Sequence, residues 1–265
     1  MTKPAVKATA TASAGRPVRT ATQRARATSS FETGPSFTAR AAAVVNTGGL
    51  FGVGDVNTVG TVANGGLSEA EKFDHYAETL RQAGGLVPTK PGTKSMVGIR
   101  FLTDPSNKSG KYDDALALLW VDKAGAKHVR EYKFNTEPTP MFSGGEGVDV
   151  NGDGRKDLAR LRVGTYQYAM STSQTYGNVL RPQKSQVVDR DVDGSMTFSQ
   201  GYSSSAGTSI LFHAGFNNDP GNKGAVTLSA GCQTLPPDEM KRLYTDLKLD
   251  GGTGRVSYTL VNGQN

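Results

Sequence analysis

Between Gly85 and Pro236 this chain never sustains a helical period. Its apolar residues come in short runs, each cut by glycine or by an Asn/Asp/Ser turn, and 33 of the 265 residues are glycine. Such a pattern cannot build a helical bundle and points to a β-rich, turn-heavy domain. Strands are predicted at 95–102, 115–122, 127–134, 158–163, 165–170, 185–188, 208–213, 225–229 and 255–261, with Lys123-Ala124-Gly125-Ala126 closing a hairpin. Two helices flank them. Ser68 and Glu71 form a capping box ahead of Phe73, Tyr76, Ala77 and Leu80 at helical spacing, and Gly84-Gly85 ends that helix. Pro236-Pro237-Asp238-Glu239 opens the second, whose apolar face is Met240, Leu243, Tyr244 and Leu247. The expected fold class is mainly β with peripheral helices (α+β), in one domain over residues 67–265. Trp120 and Phe134 are expected in its core, and His75, beside the helix's apolar face, in a surface or packing role and not a catalytic one.

Residues 1–66 read differently. They are rich in Ala, Thr, Ser and Gly, with too little apolar surface to offset ordering, and are expected to be a disordered basic arm. The net charge of +6 is that of residues 1–40, which hold seven basic side chains against Glu32 alone, leaving 23 basic and 23 acidic residues elsewhere. A neutral folded domain argues against nucleic acid as a partner. No apolar run approaches the ~20 residues of a membrane helix, no secretory apolar core follows the basic start, and a single cysteine, Cys232, excludes a disulfide scaffold. The arm suits a leaderless export signal, an adaptor-binding segment, a transit peptide or a plain linker.

The segment Leu211–Pro236, LFHAGFNNDPGNKGAVTLSAGCQTLP, carries the chemistry. A strand ends in His213 and a glycine-rich loop leads to Ser229-Ala230-Gly231-Cys232, with 19 positions separating His213 from Cys232. A thiol attacks as thiolate and needs a base, and imidazole has the matching pKa. Antiparallel pairing of the two strand ends would bring the residues together. The amides of Gly231 and Cys232 could hold a developing oxyanion. An activated Cys232 is expected to alkylate rapidly below pH 7.

His213-Ala214-Gly215 followed by Ser229-Ala230-Gly231-Cys232 resembles the signature of the L,D-transpeptidase (YkuD-like) catalytic domain. The tight match covers about 25 residues. Ala230 stands where that family commonly has His, and Thr234 where it has Arg. The Ser-Ala-Gly-Cys-Gln form is similar to divergent phage-related and effector-type members. The resemblance implies an L,D-transpeptidase-like β-sandwich or barrel acting on peptidoglycan stem peptides as an L,D-carboxypeptidase or L,D-transpeptidase. Cys232 would be the nucleophile and His213 the base, with Ser229 and Gly231 shaping the turn and oxyanion site. Gly215, Gln233 and Tyr166 are the expected substrate contacts. No cofactor is required. An exported antibacterial effector acting in the periplasm or cell wall, with a secretion adaptor or an immunity protein as partner, follows from the same likeness.

Other features keep alternatives open. Asp149, Asn151, Asp153 and Asp157, with Gly154 between them, match an EF-hand loop up to Arg160, which stands where a bidentate Glu belongs. They could hold a structural calcium ion, or form an ordinary Asp/Asn/Gly turn. Asp189, Asp191 and Asp193 make a second acidic turn. Tyr166, Tyr168 and Tyr176 could line a groove or fill the core. The competing functions are a non-catalytic calcium-dependent wall-binding module, or a cysteine peptidase or amidase of another fold. Papain-like enzymes place Cys before His in the chain, the reverse of the order here.

Overall fold

The computed structural model describes residues 67–101, 111–198, 203–204, 209–216 and 227–263. The basic arm 1–66 lies outside them, as do Asn217, Asn218 and Asp219. The first helix, α1 (Glu69–Gln82), forms as its cap signals require. The Ser68 amide donates to Glu71 Oε2 at 2.7 Å and the Glu71 amide to Ser68 Oγ at 3.3 Å. Gly84 then takes a left-handed φ of 69°, and the Gly85 amide closes on the Leu80 carbonyl at 2.7 Å. The buried stripe Phe73, Tyr76, Ala77 and Leu80 packs on Val97 and Ile99 of β1 (Lys94–Arg100) and on Ala117 and Leu119 of β2 (Asp114–Val121). Full burial of Phe73, Leu80, Val97, Ile99 or Leu119 is worth ~1.5–3 kcal/mol each. The opposite faces of the same strands send Met96, Leu116, Leu118 and Trp120 into the main core. Covered on both sides, β1 and β2 have no polar face to alternate with, which is why DALALLWV is apolar almost throughout.

The remaining strands are β3 (Lys127–Phe134), β4 (Leu158–Leu161), β5 (Gly164–Ser173), β6 (Gly177–Pro182), β7 (Val188–Asp191), β8 (Ser203–Ser204), β9 (Phe212–Ala214), β10 (Gln233–Leu235) and β11 (Arg255–Asn262). Eight of them form one sheet in the order β10-β9-β6-β5-β11-β1-β2-β3, and β4-β7-β8 form a second, small sheet. The outer strands of the large sheet nearly meet. Asn135, one residue past β3, exchanges both backbone hydrogen bonds with Thr234 of β10 at 2.9 Å. The sheet is therefore an almost closed, barrel-like surface. Its interior holds Phe134, Tyr168, Leu180, Phe212, Leu235 and Tyr258. The second helix, α2 (Pro237–Asp246), adds Met240 and Leu243, and Leu247 follows just beyond it. The fold is mainly β with two helices, as the strand pattern implies.

Several expectations need correction. β6 and β10 were not foreseen, and β7 starts at Val188 rather than spanning 185–188. The strand expected at 208–213 begins only at Phe212, and residues 227–229 are not a strand. Phe134 and Trp120 are buried as expected, and His75 is exposed. No helix among the described residues is long and apolar enough to cross a membrane.

Candidate active site

His213 and Cys232 sit on or beside neighbouring strands, but the pairing is parallel. β9 and β10 run side by side with Gln233 opposite Phe212 and Thr234 opposite His213. A parallel pair needs a crossover of a dozen or more residues, and residues 215–232 supply one. Side chains alternate along a strand. With Phe212 and Leu235 turned into the core, His213 and Thr234 share the other face, and Cys232 continues it two residues earlier. One step back in the register, the Leu211 amide donates to Cys232 Sγ at 3.4 Å. No hydrogen bond joins the sulfur to the imidazole among the described residues. They are diagonal neighbours, and Cys232 is half-buried.

The turn before Cys232 is braced from within. Ser229 Oγ donates to the Cys232 carbonyl at 2.7 Å and accepts from the Gly231 amide at 3.0 Å. Thr139 clamps the other side: its amide donates to the Ser229 carbonyl at 2.6 Å, and its Oγ1 accepts from the Ser229 amide at 3.0 Å. Gly231 has φ 134°, and a Cβ there would run into the Ala159 carbonyl oxygen, so only glycine fits. Because the Gly231 amide is spent on Ser229, it cannot serve a bound oxyanion. The Cys232 amide makes no hydrogen bond among the described residues and is the donor left at this place. Ser229 and Gly231 shape the turn, and of the two amides that the sequence suggests for an oxyanion only that of Cys232 is left over.

The residue orienting His213 was not identifiable from the sequence. It is a main-chain group: His213 Nδ1 lies 2.7 Å from the Ala214 carbonyl oxygen. A carbonyl only accepts, so the proton sits on Nδ1 and the lone pair on Nε2. The imidazole is 2% exposed. Burial pushes its pKa below the ordinary value, and the bond to Ala214 works weakly against this. Burial likewise pushes the Cys232 thiol up, opposed by the Leu211 N–H. Both shifts favour the neutral forms of the two groups, against the standing thiolate that the motif suggests. Tyr176, in the turn between β5 and β6, stacks on His213 with ring centroids 4.1 Å apart and planes 17° from parallel. Its phenol pKa is raised chiefly by burial, with the Cys232 and Glu146 charges adding to the shift.

The other expected contacts fall out differently. The Gly215 amide donates to the Leu235 carbonyl at 2.8 Å and extends the β9–β10 ladder. Gln233 is fully buried, with Oε1 accepting from Tyr258 Oη at 3.0 Å, so its side chain braces the interior and does not face a substrate. Tyr166 is committed elsewhere, its hydroxyl donating to the Arg162 carbonyl at 2.6 Å. Of the three tyrosines singled out, Tyr176 is the one against His213. Thr234, where the family has arginine, is buried and accepts from Asn135 Nδ2 at 3.2 Å.

In the acidic loop, Asp149 accepts from the amides of Gly152 (2.6 Å) and Gly154 (2.9 Å). Asn151 and Asp153 accept from the next amides along, Asp153 at 3.1 Å and Arg155 at 2.8 Å. Asp157 is buried and accepts from Val150 at 2.8 Å. Among the described residues no three acidic, His or Cys side chains converge as a metal would require. No family model matches this chain, and no curated protein or solved structure does either.

Proposed function

We propose that the protein is a cysteine acyl transferase of the L,D-transpeptidase type, acting on peptidoglycan stem peptides after export to the periplasm or cell wall. The observation that carries this reading is the β9–β10 register, which sets Cys232 diagonally from His213 while the Ala214 carbonyl fixes the imidazole with its lone pair on Nε2.

Burial favours the neutral pair, so the thiol is activated as it reacts. His213 Nε2 takes the Cys232 proton as sulfur bonds to the carbonyl carbon of the third, diamino-acid residue. The oxygen gains the electron pair and takes a hydrogen bond from the Cys232 amide. When the carbonyl reforms, the C–N bond breaks and the imidazolium protonates the departing D-alanine nitrogen, leaving a thioester. Water then releases a tripeptide, or an amine forms a new amide, with His213 taking the proton and returning it to sulfur. No step calls for a metal or cofactor.

Intact-protein mass spectrometry with a tetrapeptide stem tests the reading. The expected result is a tripeptidyl adduct on the wild type that is absent from Cys232→Ala. Turnover of the stem by Cys232→Ala would end it. Calcium in the Asp149–Asp157 loop is a separate proposal resting on residue spacing. A higher melting temperature on adding calcium to EDTA-treated protein supports it, and equal melting temperatures discard it.

A further inference from the structure

We propose that Tyr176 is a positioning residue for His213, its ring covering the imidazole so that the base stays dry and in a single orientation. The inference rests on the acyl-transfer reading for its purpose, but the geometry stands alone.

His213 is 2% exposed although it lies on the face of the β9–β10 pair that points away from the main core. Tyr176 is 44% exposed, so it forms an outer cover. The two rings overlap almost flat, at 4.1 Å and 17°. A stack of this kind removes water from the imidazole face without using either ring nitrogen. Nδ1 remains with Ala214 and Nε2 is left for the thiol. The cover is itself held in place. Ser173 Oγ accepts from the amides of Thr175 at 3.2 Å and Tyr176 at 3.4 Å, and Gly177 turns the chain with φ 66° into β6. β6 in turn pairs with β9 through Leu180 and Phe212, so the turn and the base belong to neighbouring strands.

Among the described residues, burial and the Ala214 carbonyl act on the His213 titration. Cys232 approaches from the β10 side and Tyr176 from the β5–β6 turn, while Glu146 lies near Tyr176 from the loop that follows Phe142. Tyr168, inside the barrel, senses the sulfur. None of these described groups is a cation, and burial has the largest effect on the imidazole. Removing the cover admits water, which favours the protonated ring and loosens the Nδ1 bond. When the imidazole accepts the thiol proton, the face of the phenol ring also attracts the positive charge.

NMR of the full chain with labelled histidine reads the effect without relying on turnover. In the wild type, His213 is expected as the Nδ1–H tautomer with a titration midpoint below 6.5. Tyr176→Ala is expected to raise the midpoint and to average the two tautomers. Tyr176→Phe keeps the ring and is expected to match the wild type. If D-alanine release from a tetrapeptide is measurable, its acid limb shifts upward with the NMR midpoint. An unchanged midpoint and tautomer in Tyr176→Ala would overturn the inference. If the wild type releases no D-alanine, the acyl-transfer reading fails, and the NMR titration still decides the role of Tyr176.

Discussion

Ser229 Oγ and the Cys232 carbonyl oxygen lie 2.7 Å apart, and the same hydroxyl accepts from the Gly231 amide. One side chain therefore satisfies two main-chain groups in the turn that presents the sulfur. Ser229→Ala strands both, and a buried polar group left without its partner costs about 1–3 kcal/mol. Urea denaturation should show a loss of that size, and Ser229→Thr should recover most of it. Equal midpoints for wild type and Ser229→Ala would show that the turn holds without the hydroxyl.

Gly231→Ala is a harsher change. A left-handed backbone and a Cβ driven at the Ala159 carbonyl act at one position. Backbone strain alone costs of order 1–3 kcal/mol, so this variant should be less stable than Ser229→Ala by the same denaturation assay. A Gly231→Ala protein with wild-type stability would contradict the turn geometry.

Burial raises the Cys232 thiol above its ordinary range and holds His213 below its own. The free protein should accordingly react slowly with iodoacetamide at pH 7, more slowly than the same chain in denaturant. This reverses the fast alkylation suggested by the motif, because a motif does not reveal how deeply its groups are set. Turnover should rise with pH through an inflection below 6.5 as His213 loses its proton. Faster alkylation in the native state than in denaturant below pH 7 would indicate a standing ion pair instead.

Asp114 supplies a stability prediction. Its carboxylate accepts from the Phe101 amide (2.9 Å) and from the Thr136 amide and hydroxyl (both 2.7 Å). Burial, and next the Asp113 charge, nonetheless push its pKa from 3.8 up to about 8, with Thr136 and Arg100 opposing. The folded state thus binds this proton more tightly than the unfolded chain. The stabilisation is complete below the unfolded value and is lost as pH rises from about 4 to about 8, by at most about 1.4 kcal/mol per pH unit. Asp114→Asn should flatten that slope in urea melts taken from pH 5 to 8. Parallel slopes for the two proteins would mean that Asp114 is ionised throughout.

Local signals in the chain were legible where a few neighbouring residues decide the outcome. The Ser68–Glu71 box, the Gly84-Gly85 stop and the β2–β3 hairpin all form as their residues dictate. The His213 and Cys232 pair was visible from motif order. What stayed hidden depends on distant chain. β10 has only three residues, Gln-Thr-Leu, and exists because β9 and Asn135 bond to it from either side. Its parallel direction had a readable sign: the connection over residues 215–232 is far longer than a hairpin turn. β6 is masked by Gly177, Asn178 and Pro182, poor strand formers that are tolerated because Leu180 enters the core and Val179 is buried on the opposite face. Ala214 as the orienting group carried no sequence signal, since any residue has a carbonyl. Gln233 looked like a surface polar residue of the motif, and only the register shows that it points inward.

The central claim is that Cys232 sulfur attacks a stem-peptide carbonyl with His213 as base. Digestion of purified sacculi by the full chain, with mass spectrometry of the released muropeptides, tests it most directly. Tetrapeptide stems should give way to tripeptides or to new amide-linked products in the wild type, and both Cys232→Ala and His213→Ala should leave the sacculi unchanged. Muropeptide profiles altered equally by the wild type and Cys232→Ala would contradict it.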